Sequence, residues 1–109
     1  MNFEAHTGLS VLDIQLIQQA AQKQAEITRV ILFGSRAKST HRPGSDVDLA
    51  VQGDEVTYET VIQLAIELNE ELPLPYMFDV LNYNSLAEPA LKEHIDRVGL
   101  QIYPRVIAG

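Results

Sequence analysis

The sequence contains no cysteine. Disulfides, thiolate metal sites and a cysteine nucleophile are therefore excluded, and the absence fits a reducing compartment. Also lacking is any apolar run near the roughly eighteen residues that a membrane span needs. The opening residues Met1-Asn2-Phe3-Glu4-Ala5-His6 have no basic segment followed by an apolar stretch, so they do not read as a signal peptide. The expectation is a soluble, cytoplasmic protein without membrane attachment. Positive charge is scarce too. Eight Lys and Arg stand against fifteen Asp and Glu, for a net charge of −7. Direct nucleic-acid binding is disfavoured, because a polyanion is usually met by a basic face.

What is present suits one domain spanning residues 1–109, with 46% hydrophobic residues to build a single core. The chain is too short for a catalytic domain plus a separate substrate domain. An enzyme of this size would take a second surface from another chain or from a copy of itself. Ser10-Val11-Leu12-Asp13 reads as a capping box, and Leu12, Leu16, Ile17, Ala20 and Ala21 recur at helical spacing, predicting a helix over about 10–26. Thr28 to Phe33 is a β-branched run that predicts a buried strand. Gly34-Ser35 stops it, Arg36-Ala37-Lys38 fits a helical turn, and Pro43-Gly44 marks a turn before a second strand over 47–51. Thr57 caps a predicted helix to about Leu72, where Pro73 and Pro75 close it. Tyr76 to Asn82 is nearly continuous in apolar character and predicts a third strand buried on both faces. A helix over 85–98, broken near Pro89 and stopped by Gly99, and a short strand over 100–103 complete the order. The expected class is α+β (α/β), a small mixed β-sheet packed with helices.

The chemistry concentrates in Leu32-Phe33-Gly34-Ser35-Arg36-Ala37-Lys38 and the residues up to Val51. Arg36, Lys38 and Arg42 place three of the eight cations within seven residues, beside His41. A local cationic loop on an acidic protein suggests a small anionic ligand, or simply a solvated loop. A strand ending in Gly-Ser suits phosphate, since glycine allows close backbone approach and free N–H groups follow. The pair is also common turn punctuation. Asp46 and Asp48 lie two apart, so on a strand they share a face, with Cα atoms about 7 Å apart. That arrangement favours a divalent cation, or reflects a solvated edge or a turn cap. Asp79 lies alone within Tyr76-Met77-Phe78-Asp79-Val80-Leu81, with no basic residue inside ten positions on either side. A buried carboxylate costs several kcal/mol unless paired or metal-bound. Its alternatives are an ion pair with Arg29 or Arg97, or an outward-facing edge position. Three carboxylates with no Cys or His cluster favour Mg2+ over zinc; His6, His41 and His94 are scattered. Two such ions could activate a hydroxyl and stabilise leaving pyrophosphate, with Arg36 and Lys38 offsetting triphosphate charge.

Gly34-Ser35, ten residues, Asp46-Val47-Asp48 and a later strand Asp79 together resemble the nucleotidyltransferase superfamily related to DNA polymerase β. Leu32-Phe33-Gly34-Ser35-Arg36-Ala37, the chain length and the ending Glu93 to Tyr103 resemble its minimal nucleotidyltransferases, the MNT group. The resemblance implies the nucleotidyltransferase fold. It implies that Asp46, Asp48 and Asp79 are catalytic and bind Mg2+, with Asp79 helping to activate the acceptor hydroxyl. Gly34 and Ser35, with Arg36 and Lys38, would hold the phosphates of a nucleoside triphosphate. The implied reaction is transfer of AMP from ATP with release of pyrophosphate. The implied setting is a toxin–antitoxin pair. There the MNT protein is an antitoxin that modifies a tyrosine of a HEPN-domain toxin within a hetero-oligomer, or else neutralises the toxin by masking it without catalysis. Relatives often read Arg-Gly where this chain reads Lys38-Ser39, which alters the phosphate loop and not the carboxylates. Aminoglycoside nucleotidyltransferases share the core but carry substrate-binding parts for which this chain has no room. A haloacid-dehalogenase-type phosphatase places its Asp-x-Asp after an apolar strand, whereas here the pair follows a turn.

Overall fold

A computed structural model describes residues 2–107; residues 1, 108 and 109, at the ends of the expected domain, lie outside the described residues. The elements follow the order α1 (Phe3–Thr7), α2 (Val11–Gln22), β1 (Arg29–Phe33), α3 (Gly34–Ala37), β2 (Val47–Gln52), α4 (Tyr58–Ile66), β3 (Phe78–Asn82), α5 (Pro89–Val98) and β4 (Leu100–Tyr103). The four strands form one mixed sheet in the order β3-β2-β1-β4. β1 is antiparallel to both β2 and β4, while β2 and β3 run parallel. The parallel pair is joined through α4, as a crossover between parallel strands requires.

Alternation divides the sheet into two faces. Val30, Leu32, Val47, Leu49, Val51, Leu100 and Ile102 turn to one side and pack with Ile14, Ile17, Ala20 and Ala21 of α2 and Val61 and Leu64 of α4. Ile31, Phe33 and Ala50 turn to the other and meet Ile95 of α5. Ile17, Leu64 and Leu68 are fully buried. Each such side chain contributes about 1.5–3 kcal/mol by leaving water.

Local signals account for most boundaries. Ser10 Oγ accepts from Asp13 N and Asp13 Oδ2 accepts from Ser10 N, both at 3.0 Å, closing the expected capping box. Thr57 and Thr60 form a second box at the start of α4. Pro89 begins α5, where its missing N–H costs nothing. The helix expected over 10–26 ends at Gln22, because the chain must turn back through Gln24 to bury Ile27 ahead of β1. α1 was not legible as a periodic stretch: it is one short turn capped by Asn2, whose side chain accepts from Ala5 N at 3.0 Å. The helix expected to reach Leu72 widens into a π-helical turn over Glu67–Glu71, closed by Leu72 N donating to Glu67 O. From this turn Asn69 bonds the start of β3 twice, accepting from Phe78 N at 2.8 Å and donating to Phe78 O at 3.1 Å.

One expectation is corrected. β3 is not buried on both faces; it is an edge strand, and Asp79 on it is exposed. Its apolar run reflects Phe78 and Val80 packing into the core rather than neighbours on every side.

Candidate functional site

The candidate site lies where β1 ends and β2 and β3 begin. Leaving β1, Gly34 takes φ 74°, a left-handed backbone that favours glycine. A Cβ on Gly34 would come 2.2 Å from Asp48 Oδ2, so only glycine fits beside that carboxylate. Gly34 opens α3, a single turn in which Ser35 is half-buried and Ala37 is buried. The backbone oxygen of Ser35 is taken by Thr40 N at 2.8 Å, which folds the following loop back over α3.

The two strands bring Asp48 and Asp79 together. They are direct partners in the parallel register, and Phe33 is opposite Asp48 on the other side. Adjacent strands lie about 4.8 Å apart, so the two carboxylates face each other at short range. Asp46 stands one residue before β2 and is exposed. The Asp48 carboxyl is pushed up to about 6, by burial first and then by the negative charges of Asp79 and Asp46. Neither ion pair found among the described residues involves these carboxylates, since one joins Lys23 to Glu67 and the other Arg97 to Glu93. Arg29, the other candidate partner for Asp79, is bonded instead to Gln52 and Gln101.

This donor set fits a hard divalent cation. It offers oxygen ligands only, one carboxylate is destabilised as an anion by burial and by its neighbours, and among the described residues no ion pair offsets the charge. Among the described residues no group of three or more His, Cys, Asp or Glu is drawn together as a preformed metal cluster. An ion here would complete its shell with solvent and substrate oxygens, as Mg2+ commonly does.

The cationic loop divides into two parts. Lys38 and Arg42 are exposed. Arg36 is not: it is 2% exposed and turned into the protein. Its Nε and Nη2 donate to Ser45 O at 3.2 and 2.8 Å, and its Nη1 donates to Thr7 O at 2.9 Å. Its guanidinium lies over the Tyr76 ring, 4.9 Å from the centroid. The expectation that Arg36 faces a triphosphate is therefore corrected; its donors are committed to backbone carbonyls. Tyr76 donates to Asp13 Oδ2 at 2.8 Å. Beside this cluster, His41 is held below its usual pKa by burial, then by Arg36 and His6. Thr7, Asp13 and Tyr76 support the loop, and sequence reading missed them because they lie far from it along the chain.

Comparison with known proteins follows the same outline. A family model described as Polymerase beta, Nucleotidyltransferase matches residues 15–106. No curated protein sequence matches. Among solved structures, the chain is similar to one from a toxin–antitoxin crystal structure with AMP-PNP, at 22% identity and TM-score 0.70, covering 84% of this chain and 73% of that one. It is similar at 22% identity and TM-score 0.68 to one from a mutant MntA–HpeT toxin–antitoxin structure, covering 83% and 71%. A third likeness, at 22% identity and TM-score 0.57, is to a structure of the tri-AMPylated Shewanella oneidensis HEPN toxin in complex with MNT antitoxin, covering 83% and 71%. At these identities the likeness establishes the fold.

Proposed function

Because the chain belongs to the polymerase beta nucleotidyltransferase family, we propose that it is the antitoxin of a toxin–antitoxin pair and transfers AMP from ATP to a tyrosine of a partner HEPN-domain toxin. The observation that carries this reading is the meeting of Asp48 and Asp79 in register, with Gly34 pressed against the Asp48 carboxylate. The AMPylated HEPN toxin in one structural relative and the AMP-PNP in another support the choice of AMP and of a protein acceptor.

In this reading Asp46, Asp48 and Asp79 would hold Mg2+, two ions in all, through their carboxylate oxygens. When bound, the metal would offset phosphate charge, favour ionisation of the acceptor hydroxyl and stabilise the leaving pyrophosphate. Gly34 and Ser35 let the backbone approach the β- and γ-phosphates, and exposed Lys38 offsets their charge. The tyrosine oxygen attacks the α-phosphorus. The bond from that phosphorus to the bridging oxygen breaks, and pyrophosphate carries the electron pair away. In this reading Asp79, the solvent-facing member of the carboxylate pair, takes the tyrosine proton.

Labelled ATP, Mg2+ and the HEPN partner test the reading. Label should appear on the partner and vanish with Asp48→Asn. A second reading is non-catalytic masking of the toxin. Tight complex formation that suppresses the toxin, with no label transferred by the wild-type protein, would select masking.

A further inference from the structure

We propose that Arg36 is a positioning residue for Asp46, and that α1 is the clasp through which it works. The inference rests on the reading of Asp46 as a metal ligand.

Burying a guanidinium is costly unless its hydrogen bonds are met. Arg36 meets them in a specific way. Two of its nitrogens fork onto one oxygen, the carbonyl of Ser45, which directly precedes Asp46. On the other flank, Val47 N donates to Met77 O at 2.9 Å. The backbone of Asp46 is thus pinned on both sides, while its side chain remains exposed to solvent. At its near end the loop is bonded back to α3 by Thr40 N donating to Ser35 O at 2.8 Å; between His41 and Ser45 it is otherwise closed by local turn bonds, Ser45 N to Arg42 O and Arg42 N to Ser45 Oγ. Those bonds shape the turn without tying it to the core; Arg36 supplies the tie.

The third donor points at α1. Arg36 Nη1 reaches Thr7 O, and His6 Nε2 lies 2.7 Å from Ala37 O. Gly8 closes α1 at φ 75°, so near the cluster that a Cβ there would come 2.7 Å from both Arg36 Nη1 and His41 Nε2. A five-residue helix does not hold itself together in water. α1 is ordered by these contacts, and in return it fixes the guanidinium from the side opposite the loop. Tyr76, anchored by Asp13, supplies the floor. A lysine could carry the charge but could not fork onto Ser45 O and reach Thr7 O together.

The consequence is specific. Loosening Arg36 frees the Asp46 backbone and weakens metal binding, while the Gly34-Ser35 approach to phosphate persists. The test uses the full chain with Arg36→Lys, Arg36→Gln and Gly8→Ala, the last displacing the guanidinium without removing it. Circular dichroism identifies variants that remain folded. In those, Mn2+ binding followed by electron paramagnetic resonance should weaken about 10–100-fold. The half-saturating Mg2+ concentration for label transfer should rise in parallel, with KM for ATP at saturating Mg2+ nearly unchanged. Arg36→Lys should fall between wild type and Arg36→Gln. Unchanged Mn2+ binding in folded variants overturns the proposal. So does a raised KM for ATP with unaltered metal dependence, which would make Arg36 a phosphate ligand. If the wild-type chain itself binds no Mn2+, alone or with ATP, the metal-site reading fails and the positioning role falls with it.

Discussion

The two ends of the β1–β2 pair solve the same problem in opposite ways. At one end Arg29 and Gln52 face each other, with Gln101 alongside on β4. There Arg29 donates to Gln101 Oε1 at 2.8 Å and to Gln52 Oε1 at 2.6 Å, so a charge and two amides satisfy one another. At the other end Phe33 faces Asp48, which faces Asp79 in turn. That end gathers like charges, uses a left-handed glycine to make room for the Asp48 carboxylate, and turns Arg36 into the protein. Satisfied polar groups at one end stabilise the sheet. At the other end the ionised Asp48, half-buried beside Asp79 and Asp46, acts against folding, which makes sense as a binding site that an incoming cation relieves.

Substitutions at the two ends can sharpen or break that contrast. The largest effect is expected at the carboxylate end from Gly34→Ala. The added methyl meets Asp48 Oδ2 and must also adopt a positive φ. Left-handed strain and overpacking together should destabilise by roughly 2–4 kcal/mol in denaturant unfolding, with label transfer lost.

Asp48→Asn should separate stability from function. The Asp48 carboxyl has its pKa raised from 3.8 to about 6 in the folded protein. The folded state therefore holds the proton more tightly than the unfolded chain. This group favours folding at low pH, and the benefit disappears as pH rises from near 4 through about 6. At about pH 8 the variant should be more stable than wild type by about 1 kcal/mol, the full shift being reduced for solvent screening at a half-exposed site. Near pH 3, below both values, the two proteins should unfold together. Millimolar Mg2+ should raise the wild-type Tm and leave that of the variant nearly unmoved, and label transfer should cease. A destabilised Asp48→Asn at about pH 8 would mean that the carboxylates are not in opposition.

At the satisfied end, Arg29→Ala removes two exposed hydrogen bonds. It should cost about 0.5–1 kcal/mol and leave label transfer intact. Loss of transfer in a folded Arg29→Ala protein would end the division between a structural and a functional end. The smallest effect is expected in the loop. Ser39 adopts φ 60°, a conformation costly for a residue with a Cβ. Ser39→Gly should stabilise by about 0.5 kcal/mol, because relief of strain slightly exceeds the added freedom of the unfolded chain.

Much of the molecule was legible in the sequence where the signal was local. The Ser10–Asp13 box, the Thr57 cap, the stop at Gly34, the strand over 47–51 and the last strand at 100–103 all depend on residues within a few positions of one another. The reading of β3 as doubly buried failed because apolar character says how much of a strand is covered, not where it lies in the sheet order. Arg36 was misplaced for a related reason. A basic residue next to a Gly-Ser turn looks the same whether it points outward to a ligand or inward to Ser45 O and Thr7 O. The π-helical turn and α1 had no periodic pattern long enough to detect.

By itself, the sequence determined the types and order of the main elements, the mixed α+β class, and the close spacing of Asp46 and Asp48, because periodicity, capping and turn chemistry act over short stretches of chain. Only the tertiary structure decided that Asp79 falls opposite Asp48, that β3 takes the edge, and that Arg36 is drawn inward to hold the residue preceding Asp46. Register and burial depend on partners tens of residues away, and short-range pattern does not specify which of several distant groups a side chain will meet.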